Sequence, residues 1–250
     1  MESKVKLVVA ALAALTVTTS AGAADKGAHW EYEGKAGAAH WGELAPDFAA
    51  CRQGKAQSPI DIRASKAGTV APISFDYRAS SADIVNNGHT VQIDLADGGA
   101  IDVGGTSYRL VQFHFHTPSE EAFNGRRYPL VAHLVHKSDA GELAVVAVLF
   151  KKGRENAALA PVFAGLPATA GEKHTTDDDF DPASLLPEQR SYYGYTGSLT
   201  TPPCSEGVRW HILKQPVEVS PAQLAAFRKL YRMNARPVQP LNGRVVGVAP

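Results

Sequence analysis

The sequence predicts a mainly β protein: a single domain with a central sheet and short helices at its periphery. Strand-like segments cluster in the middle of the 250 residues, and no internal repeat, low-complexity tract or linker divides the chain. The 16 prolines and 22 glycines favour many short elements over long helices. A chain of this length can bury one substantial hydrophobic core.

Four segments carry the strand patterns. Residues 90–95 alternate polar and apolar side chains, as a half-buried strand does. Residues 143–150 form a near-continuous apolar run, which is expected of a strand covered on both faces. Residues 108–116 and 130–136 are joined by a segment rich in turn and polar residues. That connection predicts a hairpin, which would place the two strands antiparallel.

Helices are expected to be few and late in the chain. Residues 156–166 are one candidate. Ser220 is a better helix start, because proline follows at the first helical position and Gln223 stands three residues after the cap. Residues 224–231 then carry an apolar stripe at helical spacing. A second β-rich stretch, punctuated by prolines, is expected at 238–248.

The N-terminal residues predict export. Two lysines precede an apolar run at 7–17, and small residues follow at A-x-A spacing. This pattern is typical of a secretory signal peptide, here 1–23 with cleavage near Ala23 or Ala24. The alternative, a membrane anchor, needs about 20 apolar residues, more than this run contains. The mature domain would then be 24–250, and its location periplasmic or secreted.

The charge balance argues against some classes of binding partner, and the cysteine content predicts a disulfide. The 25 basic and 25 acidic residues give no electrostatic reason to bind nucleic acid or an acidic membrane surface. No later segment is long enough to span a membrane. In an oxidising compartment, Cys51 and Cys204 are expected to form a disulfide with each other, with two free thiols as the alternative.

Three histidines predict a metal site. His114 and His116 are one residue apart on a strand, so their side chains leave the same face. His133, on the predicted partner strand, would supply a third imidazole. Three neutral ligands without thiolate or carboxylate indicate a catalytic zinc site with its fourth position open, since structural sites are closed by four protein ligands. The alternative is unrelated, partly buried imidazoles; His136 lies on the opposite strand face and is expected to be a hydrogen-bonded core histidine.

The motifs around these histidines resemble those of the α-class carbonic anhydrases, in their exported bacterial branch. The resemblance extends over essentially the whole mature chain. It implies that family's fold, with a large, mostly antiparallel, twisted sheet, and one Zn²⁺ per chain. The motifs that carry it are Trp30-Glu31-Tyr32, Gln57-Ser58-Pro59-Ile60-Asp61-Ile62, Asn86-Asn87-Gly88-His89, Gln112-Phe113-His114-Phe115-His116, Ser119-Glu120, Ala132-His133-Leu134-Val135-His136, Ser198-Leu199-Thr200-Thr201-Pro202-Pro203-Cys204 and Pro240-Leu241-Asn242-Gly243-Arg244.

The resemblance implies a lyase that reversibly hydrates CO2 to bicarbonate and a proton, by attack of zinc-bound hydroxide. Thr200 would accept a hydrogen bond from that hydroxide and donate its own proton to Glu120, because a hydroxyl has one donor. Thr201 would help to hold bicarbonate. His89 would pass the proton to buffer, and its alternative role is that of a solvated loop histidine. The pKa of about 7 for the metal-bound water is the value of carbonic anhydrases themselves.

The resemblance also implies an apolar wall for CO2 and a set of supporting residues. Plain core packing is the alternative for every wall residue. Gln112 would accept a hydrogen bond from His114, and a backbone carbonyl at Asn242 one from His116. Tyr32 would belong to the water network between zinc and His89. The wall would be formed by Val135, Val145, Leu199, Val208 and Trp210.

One supporting position departs from the family pattern. Relatives commonly carry glutamate two residues before the third histidine, where this chain has Val131, and many carry histidine where it has Glu121. Valine cannot accept a hydrogen bond, so His133 must use water, a carbonyl or another carboxylate such as Glu121. Weaker zinc retention is expected, since loss of such a partner typically costs about 10- to 100-fold in metal affinity or activity.

The expected partners are small molecules: CO2, bicarbonate, and sulfonamide- or anion-type inhibitors at zinc. A homodimer is compatible with the sequence. One alternative function is a non-catalytic, carbonic-anhydrase-like binding domain, but such proteins generally lack a ligand histidine. Another is a zinc hydrolase of a different kind, which needs a carboxylate base beside the metal; the only well-placed carboxylate, Glu120, is expected to be tied to Thr200.

Overall fold

The computed structural model describes residues 28–63 and 68–249. The predicted signal peptide at 1–23 lies outside these residues. The described strands are β1 (Asp61–Ile62), β2 (Gly68–Thr69), β3 (Ile73–Tyr77), β4 (Ala82–Asn86), β5 (Val91–Leu95), β6 (Gly99–Val103), β7 (Thr106–His116), β8 (Ala122–Phe123), β9 (Arg126–Arg127), β10 (Leu130–Lys137), β11 (Leu143–Lys152), β12 (Lys173–Thr175), β13 (Tyr192–Ser198), β14 (Glu206–Leu213), β15 (Val217–Val219) and β16 (Gly247–Ala249). The described α-helices are α1 (Trp41–Leu44), α2 (Ala50–Gln53), α3 (Ala160–Ala164) and α4 (Pro221–Leu230), and 3-10 helices lie at Gly34–Ala36, Pro46–Phe48 and Pro182–Leu185.

Thirteen of the described strands form one large twisted sheet. Its main order is β12-β4-β5-β7-β10-β11-β14-β13-β16-β2; in addition, β6 joins β3 to β7, and β15 pairs with β11. Neighbours are antiparallel except where β11 meets β14 and β15 and where β16 meets β2. A small separate sheet contains β1, β8 and β9. The expected mainly β, mostly antiparallel architecture is confirmed.

The strands β10 and β11 and the last residues of β7 are covered on both faces, and alternate residues belong to two different environments. We call these environments the core face and the site face. The alternation follows from the two-residue repeat of a strand. The core face of these strands comprises Phe113, Phe115, Leu130, Ala132, Leu134, Ala144, Val146, Val148 and Phe150. The site face comprises His114, His116, Val131, His133, Val135, Val145, Ala147 and Leu149.

The predicted hairpin places the third histidine beside the first two. β7 and β10 are antiparallel, with His133 directly opposite His114 and Val131 opposite His116. Residues directly opposite each other project from the same face. A register shift near Val135 lies beyond the three histidines and leaves their alignment intact.

The helix that starts after Ser220 is confirmed, and three other sequence expectations are corrected. Helices are not confined to the later part of the chain, since α1 and α2 lie before β1. Ser220 and Gln223 form a reciprocal capping box at the start of α4. The helix expected over 156–166 is shorter, α3 alone, with Pro161 in its first turn and Gly165 as its C-cap. The stretch 238–248 adds no strand before β16, and Pro240 within it has no N–H for a ladder.

The expected disulfide is present. The sulfurs of Cys51 and Cys204 are 2.06 Å apart and join residues separated by 153 positions. By chain-entropy arithmetic, such a link can stabilise the fold by up to roughly 5 kcal/mol. It connects α2 to the segment after β13, which carries Thr200 and Thr201. Within the described ranges, no helix has the length and apolar character needed to cross a membrane.

Candidate metal centre

The site face brings His114, His116 and His133 together. Their ring centroids are 4.7–5.6 Å apart. One nitrogen from each ring lies within 4.8 Å of the others. His116 and His133 are fully buried, and His114 is partly buried. The sequence prediction of a three-histidine cluster is therefore confirmed in its geometry.

The second nitrogen of each ring has a fixed acceptor. His114 Nδ1 lies 2.8 Å from Gln112 Oε1, and His116 Nδ1 lies 2.6 Å from a backbone carbonyl. His133 Nε2 lies 2.9 Å from a carboxylate oxygen, Glu121 Oε1. An imidazole that donates from one nitrogen presents a lone pair on the other. Two Nε2 atoms and one Nδ1 atom therefore remain as possible ligands.

The donor set fits a divalent metal such as zinc. His116 Nε2 is buried and has no hydrogen-bond partner among the described residues, an arrangement that is costly unless a ligand satisfies the atom. Three imidazoles leave a fourth tetrahedral position open. His114, His116 and His133 are the residues that could hold the ion.

The carbonyl that accepts from His116 belongs to Asn234, which corrects the assignment to Asn242. Asn242 is exposed, and its amide donates to the carbonyl of Lys55 instead. Asn234 is fully buried in the loop after α4. Its position, 118 residues from His116 in sequence, follows no local periodicity, so sequence reasoning had no signal for it.

Asn234 also ties other parts of the site together. Its Oδ1 accepts from the backbone N–H of Thr117, 2.8 Å away. Its Nδ2 donates to the carbonyls of Phe115 at 2.9 Å and His89 at 3.1 Å. One side chain thus fixes the end of β7 and the loop that carries His89.

The acceptor missing at Val131 is supplied from another segment. Val131 is buried among apolar side chains of the site face, and Glu121 provides the carboxylate for His133. Of the three replacements considered from sequence, the structure has the carboxylate. The reason for expecting weaker zinc retention was the missing acceptor, and Glu121 supplies one.

Burial and charge act differently on the three rings. Burial lowers the pKa of His114 to about 3 and holds the pKa of His116 well below its ordinary value. Burial also opposes the charged form of His133, but the nearby carboxylates of Glu121 and Glu120 raise its pKa. Two of the rings are therefore neutral at physiological pH, as metal ligands must be.

Glu120 lies behind the histidine cluster and is fully buried. Its Oε1 accepts from the backbone N–H of Arg236 at 2.7 Å, while Oε2 lies 3.6 Å from His116 Nε2. Burial raises the pKa of Glu120 to about 7, against the lowering effects of His133, the Thr200 hydroxyl and the Arg236 N–H. Oε2 has no hydrogen-bond partner of regular geometry among the described residues. The Thr200 hydroxyl acts on this carboxyl as a hydrogen-bonding group that favours its charged form.

Arg236 was not predicted as part of the site. Its guanidinium is buried and donates to Gln57 Oε1 and to the carbonyls of Ser58 and Cys51. It lies 5.7 Å from the Trp41 ring centroid. The buried cation fixes the backbone N–H that holds Glu120.

The five residues expected to form an apolar wall lie together. All belong to the hydrophobic cluster of the site face, and the Trp210 ring meets His133 edge-on at 4.9 Å. Thr201 is partly buried in the loop after β13. The wall residues are Val135, Val145, Leu199, Val208 and Trp210.

His89 is partly buried, and its ring stacks on Trp30, with the centroids 3.7 Å apart and the planes 8° apart. Burial lowers its pKa below the ordinary histidine value. Tyr32 packs against Trp30 and Trp41, and burial raises the pKa of its hydroxyl well above normal, with a further contribution from the charge of Glu120. His89 lies in a loop, as the sequence predicted. Its ring is stacked and partly buried, so it is not a freely solvated side chain.

Comparison with known proteins identifies the family. The family model for eukaryotic-type carbonic anhydrase matches residues 36–249. The chain belongs to the α-carbonic anhydrase family. A carbonic anhydrase of Pectobacterium carotovorum is 41% identical over 233 residues, covering 93% of this chain and 95% of the relative. One of Klebsiella pneumoniae is 43% identical over 244 residues, covering 96% and 97%.

A solved structure supports the same placement. The α-carbonic anhydrase of Thermovibrio ammonificans, in complex with the inhibitor sulfanilamide, superposes with a TM-score of 0.85 at 48% identity. The match covers 90% of this chain and 100% of that one. By family and fold, this chain is therefore an enzyme of the carbonic anhydrase class.

Proposed function

We propose that this carbonic anhydrase reversibly hydrates CO2 to bicarbonate and a proton, with one zinc ion held by His114, His116 and His133. The observation that carries the proposal is the hydrogen bonding of these three rings. Each has one nitrogen engaged by an acceptor, and the remaining three nitrogens lie within 4.8 Å of one another. When bound, zinc would act as a Lewis acid that makes water a nucleophile at neutral pH.

Glu120 and Thr200 would orient the reacting oxygen. The backbone N–H of Arg236 occupies Glu120 Oε1, which leaves Oε2 to accept the Thr200 proton. A hydroxyl that donates its only proton to a carboxylate can only accept from its other side. Thr200 would therefore select an oxygen that itself carries a proton, and would turn that oxygen's lone pair toward CO2.

The apolar wall would bind CO2, which offers no strong hydrogen-bonding handle. Val135, Val145, Leu199, Val208 and Trp210 provide a surface beside His133 that is poorly suited to water. Thr201 would help to hold the bicarbonate product before water displaces it.

His89 would move the released proton to buffer. A neutral imidazole accepts a proton and passes it on at physiological pH. The Trp30 ring and the Asn234 amide, which donates to the His89 carbonyl, hold this histidine in one place. Tyr32, whose hydroxyl stays protonated, would order the intervening water.

The enzyme would act outside the cytoplasm, after cleavage near Ala23 or Ala24 to release the domain 24–250. The Cys51–Cys204 disulfide supports export, because such bonds persist mainly in oxidising compartments. Sulfonamide- and anion-type inhibitors would bind at the open metal position, as sulfanilamide is an inhibitor of the Thermovibrio ammonificans enzyme.

Stopped-flow CO2 hydration with metal analysis tests the proposal. The purified mature chain should contain zinc and hydrate CO2, lose that activity when a chelator removes the metal, and regain it when zinc is restored. A protein that is active without metal, or one that holds zinc but leaves CO2 hydration at the uncatalysed rate, would contradict it.

A further inference from the structure

Glu121 is a buried carboxylate with an unusual position beside the metal cluster. Its side chain is fully buried, and across residues 28–63 and 68–249 no lysine or arginine forms an ion pair with it. Its Oε1 lies 2.9 Å from His133 Nε2, and its Oε2 is buried without a hydrogen-bond partner among the same residues. Burying a carboxylate without a lysine or arginine beside it is costly, so a packing role alone does not account for Glu121.

The hydrogen bond to Glu121 decides which nitrogen of His133 faces the cluster. A carboxylate can only accept, so His133 Nε2 must carry the hydrogen and Nδ1 must present its lone pair. The outer acceptors of the other two rings, the Gln112 amide oxygen and the Asn234 carbonyl, are uncharged. Glu121 is therefore the charged acceptor of the trio, and charge on the acceptor strengthens the ring as a donor.

The backbone around Glu121 is held firmly enough to position the carboxylate. Its carbonyl accepts from Ser119 Oγ at 2.7 Å, and the same Oγ accepts from the N–H of Tyr128 at 3.0 Å. The next residue, Ala122, donates to the carbonyl of Ile60 at 3.2 Å and begins β8. Glu121 thus reaches the ring from the segment just before β8, not from the strand that carries His133.

We propose that Glu121 is the positioning residue that orients His133 for zinc and slows zinc release. This inference rests on the proposed function, since it concerns how the same three histidines retain their ion. Val131 makes the idea testable from a second direction. It precedes His133 by two residues on β10 and shares its face, so a carboxylate placed there could approach the same ring.

The experiment measures the rate at which the zinc-loaded protein gives up its metal to excess pyridine-2,6-dicarboxylate. We expect Glu121→Ala to release zinc about 10- to 100-fold faster than wild type. Glu121→Gln, which keeps the shape and an accepting oxygen but no charge, should fall between them. Glu142→Gln is the matched control, because Glu142 receives a hydrogen bond from Tyr108 away from the metal cluster, and it should release zinc at the wild-type rate.

Relocating the carboxylate separates positioning from a general structural role. In the double variant Glu121→Ala/Val131→Glu, zinc release should return most of the way to the wild-type rate. The visible spectrum of the cobalt-substituted protein should shift in Glu121→Ala and move back in the double variant. Circular dichroism of each metal-free variant verifies the fold, and Glu121→Gln carries the test if Glu121→Ala does not fold.

The outcomes distinguish this inference from the proposed function. If wild type and both Glu121 variants bind zinc and release it at equal rates, Glu121 is not a positioning residue, while the proposed function stands. If wild type takes up no zinc, the proposed function fails and this inference fails with it.

Discussion

His133 and His136 lie three residues apart on β10, and both are buried, yet their surroundings are opposite. On the site face, His133 has one nitrogen on Glu121 and the other near His114 and His116. On the core face, His136 uses both nitrogens, with the Tyr77 hydroxyl at 2.8 Å and the Ala144 carbonyl at 3.3 Å. The difference is that one nitrogen of His133 lies beside nitrogens of two other histidines, whereas both nitrogens of His136 are used in hydrogen bonds.

The same pair shows how charge overrides burial. Burial lowers the pKa of His136 to about 3, because no carboxylate compensates for the lost water. His133 experiences the same loss, but two carboxylates raise its pKa. Substitutions on the site face are therefore expected to change metal binding and the hydration rate, and substitutions on the core face to change stability.

Replacing His133 should abolish function, and replacing His136 should not. In His133→Ala, one of three ligands is lost, so zinc content should fall far below one per chain and CO2 hydration should fall to the uncatalysed rate. In His136→Phe, zinc content and hydration rate should stay near wild type. Elemental analysis and stopped-flow hydration measure both. Equal loss of zinc in the two variants would contradict the assignment of metal binding to the site face alone.

Thr200→Ala should slow hydration by about 100- to 1,000-fold without loss of zinc, since a preorganised hydrogen-bonding group has effects of that size. Thr200→Ser keeps the hydroxyl and should recover most of the rate. The comparison uses kcat/KM at saturating buffer together with metal content. A serine variant as slow as the alanine variant would show that the hydroxyl is not what matters.

His89→Ala should lower kcat by about 100-fold in weak buffer, a typical size for a lost acid–base group. Added imidazole should shrink the deficit, because small buffer molecules replace the shuttle. His174→Ala is a suitable control, since His174 is an exposed histidine on β12. If the deficit in kcat persists at high imidazole concentration, His89 is not the proton shuttle.

The pH dependence of the same reaction should carry the signature of the buried His89 ring. Its pKa is lowered by burial, so the neutral, proton-accepting form persists to lower pH than for a free imidazole. In weak buffer, the wild-type kcat should therefore have an inflection below about 6.5, the ordinary histidine pKa. Trp30→Ala, which removes the stacked ring, should move that inflection upward.

His136→Phe should cost stability alone. The Tyr77 hydroxyl would lose its buried partner, so the free energy of unfolding at pH 7 should fall by about 1–3 kcal/mol. Urea unfolding followed by fluorescence measures the change. A variant as stable as wild type would mean that these hydrogen bonds are not needed on the core face.

Lowering the pH should reduce the difference in unfolding free energy between wild type and His136→Phe. The unfolded chain takes up a proton at His136 near pH 6.5, whereas the folded chain resists until about pH 3. Wild type therefore loses this contribution as pH falls through that window, and the phenylalanine variant has none to lose. The gap in unfolding free energy should shrink between pH 7 and pH 4.

Much of the site follows from local sequence rules. The two-residue repeat of a strand placed His114 and His116 on one face, and the polar connection after them predicted the hairpin that brings His133 opposite. The continuous apolar run of β11 correctly indicated a strand covered on both faces. The start of α4 was readable from its capping residues.

The outer acceptors were decided by the tertiary structure. The carbonyl of Asn234, not that of Asn242, accepts from His116. Glu121 approaches His133 from the segment before β8, and Trp30 stacks on His89. Strand periodicity determines which face a side chain leaves, because it is a property of neighbouring residues. The distant segment that contacts this side chain depends on how the whole chain packs. No local repeat in the sequence encodes that contact.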